Sequence, residues 1–565
     1  LGINPVLGRF LPASRLTRRQ MALVMGIWLM ACVAPGRGGM GVYPYVLAKA
    51  TALANTNKAM ADAHETMKLP PILFPDRLEM GAETPVSDGF LTKLEEGESI
   101  PWRAWLGPLL GWGPLLLGTW MMMIGMGVIV YPQWRERERL AFPLLTMYES
   151  LIETPEKGRR FPPVLRSPLF WSGALTVMVL HSFNGLNSFT HGGFPSFPLE
   201  WNFWVLFQDG IWRNAPWTLR GGRIYFALLG VVYFMPNRTS FSIWFGVIGF
   251  AIYFMIKTAY FPVAGDYELD VKTGAWFAYA MAILWLGRMH WKEVGRAMLS
   301  RSDDETVARD RTGGWLFALG IVAMLGWFLW VGLSLGASVI YVIFGILLTL
   351  LAARVICETG LPIINFTPLQ PFEFISAFPV RGLSTAAIYI GGIVSALFNY
   401  GARVSAGVMC CLSMGLDRDR TPREQMRWGQ LLLIVIVLCS VGAGAVHLKM
   451  AYTHEATLDG ASVLGQYGTT IMDRSMPAVT KFEGGGHFSP GPLVRWPRFA
   501  VGVVIATGLQ VACMLFPRWP FHPIAFLFVG SWLGDAIWPS IFLGWLLKTL
   551  ITTYGGARAY RAARP

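Results

Sequence analysis

The sequence is poor in charge. Only 14% of its 565 residues are Asp, Glu, Lys or Arg, against roughly 25% in a soluble domain, so much of the chain must face something other than water. It also lacks a long hydrophilic stretch: 55–101 and 448–495 are the most polar segments, and each is far smaller than the roughly 100 residues of a typical domain. That excludes a separate soluble catalytic domain. No GxSxG, HExxH or Walker loop is present, so the catalytic signatures tied to those turns are missing and no catalytic residue is expected. The protein is expected not to be an enzyme. The six cysteines (Cys32, Cys357, Cys410, Cys411, Cys439, Cys513) form no CxxC pair and no Cys/His set. Disulfides, zinc and clusters therefore lack support, and no metal or cofactor is expected.

What is present is apolar sequence. Hydrophobic residues make up 54% of the chain, in recurring runs of about 20 that match the thickness of a bilayer. The 24 Trp and 17 Tyr suit the aromatic belts of membrane interfaces. The expectation is an all-α, polytopic transmembrane bundle, one integral membrane domain over 1–565, with the lipid bilayer as its first partner. The net charge of +13 fits Lys and Arg gathered in cytoplasmic loops. No basic stripe with interleaved aromatics lies outside the apolar runs, which excludes nucleic acid as a partner.

Loop charges give a topology. Arg9, Arg15, Arg18 and Arg19 precede an apolar run that reads as a retained first helix over 21–50, interrupted at Gly36-Arg37-Gly38-Gly39. The loop 55–101 holds four Lys/Arg against nine Asp/Glu and reads as outside. Further spans are expected near 105–131, 168–189, 224–236, 241–256, 274–290, 314–333 and 336–355, then 385–401, 403–416, 430–447, 498–516, 522–535 and 537–551. The segment 372–384 is a re-entrant candidate. The total is about fourteen spans (12–16) with both termini cytoplasmic, in the inner membrane of a bacterium.

A charge at mid-bilayer costs at least about 2.5–3.5 kcal/mol, so polar groups inside these runs stand out. Arg354 and Glu358 lie four residues apart, on one helical face, and Gly360, Pro362 and Asn365 follow. A broken helix of this kind either lines a cavity or simply ends at the interface. Arg37, Gly38 and Gly39 form a kink with free N–H groups and a cation, or else a plain turn. His181, Asn184 and Asn187 recur at spacings of three, as a proton path or a hydrogen-bonded seam. The fourth cluster, Arg135-Glu136-Arg137-Glu138-Arg139-Leu140-Ala141-Phe142-Pro143, reads from spacing alone as a solvated linker. Asn399 with Arg403 is a weaker pair.

Glu138-Arg139-Leu140-Ala141-Phe142-Pro143 followed by LLTMYESLI resembles the oligopeptide transporter superfamily, where a span is followed by a Leu-x-[Tyr/Phe]-Pro turn and a partly re-entrant helix. The stretch GVMCCLSMGLDRDRTPREQMRWGQLLLIV (407–435) is similar to that family's Asp-x-[Lys/Arg] pair and Pro-Arg step, here Asp417 and Arg418 onward. The tail from WPFHPIAF is like its last spans. QWRERERLAFP, GRGGM and RVICETGLP also resemble a bacterial group of polytopic membrane proteins. The resemblance implies two loosely related halves, 1–312 and 313–565, with broken or re-entrant helices, alternating access and a substrate near the midplane. It implies ion-coupled movement of a small peptide, a metal chelate or another small polar solute, with a proton as the coupling ion. Arg354, Glu358 and Asn365 with Arg37, Gly38 and Gly39 are the expected binding residues, joined by His181, Asn184, Asn187, Asn399 and Arg403. Arg137, Glu138, Phe142, Pro143, Asp417 and Arg418 form the expected gating motif. Leu144-Leu145-Thr146 replaces the family's small-residue turn, which leaves the substrate open. The alternative is a non-transporting subunit of a larger membrane complex, and a homo-oligomer is also compatible with the sequence.

Overall fold

The computed structural model describes residues 16–36, 40–155, 161–261, 268–364, 371–376, 383–395, 397–398, 405–454, 476–480 and 492–562. Among the described residues the protein is all-α apart from one two-stranded ribbon, Glu200–Asn202 against Gly221–Arg223. Helix α1 (Arg18–Ala31) starts on a capping box, with Thr17 and Gln20 satisfying each other's backbone N–H groups. Helices α2 (Tyr43–Thr56) and α3 (Lys58–Met67) follow. Next come α4 (Leu106–Pro132), α5 (Pro143–Leu151), α6 (Pro168–Phe189) and α7 (Asn237–Tyr260).

The chain continues with α8 (Glu268–Leu286), α9 (Arg288–Leu299), α10 (Glu305–Trp330) and α11 (Leu335–Thr359). Two short buried helices, α12 (Thr385–Ser395) and α13 (Ala406–Gly415), lie inside the bundle. The last three are α14 (Pro422–His454), α15 (Pro492–Leu515) and α16 (Trp532–Ala562).

Eight helices among the described residues are long and apolar enough to cross a membrane: α4, α6, α7, α10, α11, α14, α15 and α16. This fits an integral membrane protein. Of the fourteen expected spans, the remaining six take other forms. The first is split into α1 and α2, of 14 residues each, about 21 Å apiece against a hydrocarbon core of roughly 30 Å. Span 224–236 is a nine-residue helix, Phe226–Phe234. Helix α8 carries Glu268, Asp270 and Lys272 in its first turns. Spans 385–401 and 403–416 contain α12 and α13, of 11 and 10 residues. The expected 522–535 span is a 3₁₀ turn, Pro523–Leu527, leading into α16. Counting apolar runs cannot tell a half-length buried helix from a full crossing, because both are apolar on every side.

Close packing rests on small residues. Gly118 and Gly125 of α4 face Gly313 and Gly320 of α10, and a Cβ at Gly125 would lie 2.5 Å from the Phe317 backbone nitrogen. Gly274 of α8 and Gly502 of α15 meet each other's helix backbone in the same way. Between membrane helices, where lipid is as apolar as leucine, such contacts supply the dispersion that holds the bundle together.

The helices run between two ends of distinct character. At one end, Arg137 beyond α4 meets Glu293 of α9, Arg309 of α10 meets Gln425 of α14, and Arg19 of α1 meets Glu424. At the other, Trp105 before α4 meets Tyr452 of α14, and Trp327 of α10 meets the carbonyl of Gly111.

Candidate functional site

Helix α4 does not stop at Pro132. It widens into a π turn over Gln133–Arg137, closed by the Glu138 N–H on the Gln133 carbonyl at 2.9 Å. A π turn adds a residue to the helical circuit and is often found at functional positions. Here Trp134 is buried and Glu138 is three-quarters or more shielded, whereas Glu136 and Arg137 are exposed. The chain then reverses sharply: Arg139 and Phe142 both adopt the left-handed region, at φ 54° and 44°. Phe142 is fully buried against Tyr131, with ring centroids 6.2 Å apart.

Helix α11 ends opposite this reversal. Gly360 caps it at φ +74°, its N–H on the Ile356 carbonyl at 2.8 Å. This is the left-handed C-terminal stop that glycine permits. A Cβ at Gly360 would sit 2.6 Å from the Pro143 Cβ, so the ETGLP and AFP turns pack against one another. Two segments that the sequence shows separately thus form one site.

Arg354 is its centre. Its Nη1 pairs with the Glu138 carboxylate, its Nε donates to Glu358 Oε2 at 3.0 Å, and its guanidinium lies 5.5 Å from the Trp134 ring centroid. Tyr279 of α8 donates its hydroxyl to Glu358 Oε2 at 3.2 Å. His522, in the turn before α16, reaches Glu358 Oε1 through Nε2 at 3.2 Å. Gln133 donates to Glu138 Oε1 at 3.2 Å. The side chains of Arg354, Glu358 and Glu138 are only 10%, 13% and 17% exposed.

The backbone N–H of Ile524 donates to His522 Nδ1 at 3.3 Å, so Nδ1 is an acceptor and the proton of the neutral ring sits on Nε2, aimed at Glu358. One guanidinium then pairs with two carboxylates, neutral donors bond the rest of their oxygens, and a second guanidinium, Arg238, stands near His522 without pairing with either carboxylate. Burying an unbalanced charge is costly, so this cluster has room for one proton. A proton at His522 Nδ1 would balance it and displace the Ile524 N–H. Burial holds the His522 ring below the usual imidazole range; Glu358 opposes this, and Arg238, which donates to Cys513 Sγ at 3.0 Å, adds to it together with Arg354.

The remaining expected residues fall elsewhere. Arg137 pairs with Glu293 at 2.6 Å near the surface, and that hydrogen bond holds the Glu293 carboxyl below the usual carboxylate range. Arg418 grips Glu149 of α5 with two nitrogens, at 2.7 and 2.5 Å, and Asp417 meets Arg19 at 3.3 Å and Arg420 at 3.5 Å. Both tie surface segments together at the same end as the cluster. His181, Asn184 and Asn187 do not reach it. Helix α6 buries none of its residues, and Asn184 bonds the Phe197 backbone in both directions, at 2.9 and 2.7 Å, while Asn187 bonds the Phe194 carbonyl. They pin the loop after their own helix, because short amides near a helix end find local backbone first. Arg37, Gly38, Gly39, Asn365, Asn399 and Arg403 lie outside the described residues.

Sequence reasoning did not single out Gln133, Trp134, Tyr279 or His522. The only signals were the resemblance carried by QWRERERLAFP, which includes Gln133 and Trp134, and the His-Pro step at 522–523, where proline favours a turn. No spacing links any of these residues to Arg354. No group of three or more His, Cys, Asp or Glu among the described residues is arranged to hold a metal ion.

A comparison with curated proteins finds no match. A family profile described as a family of unknown function, DUF6785, matches residues 1–565, and the chain belongs to that family.

Proposed function

We propose that the protein is a secondary-active transporter of a small polar solute, with the Arg354–Glu138–Glu358–Tyr279–His522 cluster as its proton-coupling site. The observation that carries this reading is the charge count: two shielded carboxylates against one guanidinium, with a histidine whose free ring nitrogen is held by a helix-start N–H. Proton uptake there would release the Pro523–Leu527 turn, and with it the start of α16. That links a protonation event to a helix position, which is what alternating access requires. The Arg-rich end would face the cytoplasm of a bacterial inner membrane, with both termini on that side.

Proteoliposomes enclosing a pH-sensitive dye test the reading. A panel of di- and tripeptides and metal–chelate complexes is added outside under an inward proton gradient. Solute-dependent acidification is expected for at least one member, and Glu358→Gln should abolish it. Acidification that survives Glu358→Gln would remove Glu358 from the mechanism, and none with any solute would count against transport.

A second reading, a non-transporting subunit of a membrane complex, is favoured by α6. Its whole circumference is unburied, including Leu169, Trp171, Leu175 and Met178, each at least 50% exposed. Recovery of a fixed-stoichiometry partner lost on Trp171→Ala would support it.

A further inference from the structure

At the end opposite the charged cluster, α3 and the following segment to Met80 line an open cavity of about 560 Å³ with acidic side chains among apolar ones. That is within the size range of small-molecule sites. Asp62, Glu65, Asp76 and Glu79 line it, against the single cation Arg77. Asp76 accepts the Ser87 N–H at 2.7 Å. Asp62, Glu65 and Glu79 make no ion pair among the described residues.

An acidic rim alone is not a site, but this one has a floor. His64 lines the cavity, is 5% exposed, and neither of its ring nitrogens has a hydrogen-bond partner. The Met60 carbonyl one turn earlier lies near the ring without hydrogen-bonding geometry. The ring stands edge-on to Tyr389 of α12 at 4.8 Å and to Phe74 at 6.0 Å. The Tyr389 hydroxyl is likewise buried without a partner. Two unsatisfied ring nitrogens beneath a rim of carboxylates leave hydrogen bonds for something else to make, since buried polar groups are nearly always paired.

We infer that this cavity binds a small organic cation of the primary-amine class, its ammonium against Asp62, Glu65 and Glu79 and a donor hydrogen bonded to His64. Burial pushes the His64 ring down to about 4, so at neutral pH it offers a lone pair rather than a repelling charge. A divalent metal fits less well, because these side chains include no trio set for metal ligation among the described residues. The aromatic floor suits the methylene body of an alkylamine. This site stands apart from the coupling cluster and does not depend on transport.

Putrescine is the probe, with 1,4-butanediol as its uncharged counterpart, titrated calorimetrically into the full-length protein in nanodiscs. Saturable putrescine binding that weakens with salt is expected, with none for the diol. Asp62→Asn/Glu65→Gln, both at exposed positions, should weaken it by about tenfold or more. His64→Phe keeps the ring contacts and should weaken it at pH 7 while the melting temperature is maintained. The inference is overturned if putrescine does not bind, if the diol binds as well, if the double variant binds unchanged, or if Mg²⁺ alone competes fully at equal concentration.

Discussion

At one end of the bundle Arg19, Arg309, Arg354 and Arg418 meet carboxylates or an amide from other helices. At the other, Trp105, Trp112, Trp327 and Tyr452 meet hydroxyls and backbone carbonyls at 2.6–2.9 Å. Both arrangements clamp helix ends, but they respond to different conditions. Ion pairs at the first end change with protons and salt, and losing one partner strands a charge. The indole and phenol bonds of the second are neutral, and breaking one leaves only an unpaired dipole. The charged end is therefore the natural place for a switch, and the aromatic end for a rigid platform.

Four experiments sharpen or break this contrast. Arg354→Ala leaves Glu138 and Glu358 shielded without their cation, which should cost about 3–5 kcal/mol. Loss of monodisperse protein and a steep fall in melting temperature are expected, with Arg354→Lys intermediate. An unchanged melting temperature would show that water reaches the cluster freely.

The aromatic end also carries titratable groups, His64 among them. Burial pushes the His64 ring down to about 4, from the 6.5 of a solvated imidazole. The unfolded state thus takes up the proton first, and stability should fall as pH drops from 6.5 towards 4, by up to roughly 3 kcal/mol. Melting curves across that window should flatten in His64→Phe.

Trp105→Phe keeps the ring contact with Phe90 but removes the donor to Tyr452. A loss of about 1 kcal/mol is expected, independent of salt. Arg137→Ala breaks an exposed pair with Glu293, and less than about 1 kcal/mol should follow, vanishing at high salt. If the Trp105 change proved salt-sensitive and the Arg137 change did not, the distinction between the two ends would fail.

Part of the candidate site was legible in the chain. Arg354 and Glu358 at i and i+4 can meet only if the helix continues through both, and they do meet, at 3.0 Å. Gly360 was readable as a helix stop, whereas the Leu-Ala-Phe-Pro turn came only from the resemblance, spacing alone suggesting a solvated linker. What could not be read was that Glu138, set among alternating charges that suit a solvated linker, turns inward. A π turn rotated it there, and no periodic pattern in RERER announces one. Tyr279 was hidden in an apolar run, where a tyrosine reads as core or interface.

Composition and hydropathy alone determined that this is a membrane-type helical protein with its basic residues gathered into particular loops. Transfer of each side chain between water and hydrocarbon depends on the residue itself. Local chemistry likewise determined where helices begin and stop. Only the tertiary structure decided which apolar runs become full-length helices and which remain half-length inside the bundle. It also decided that Glu138 would find Arg354 across 216 residues of chain, because a contact at that separation depends on how whole helices pack.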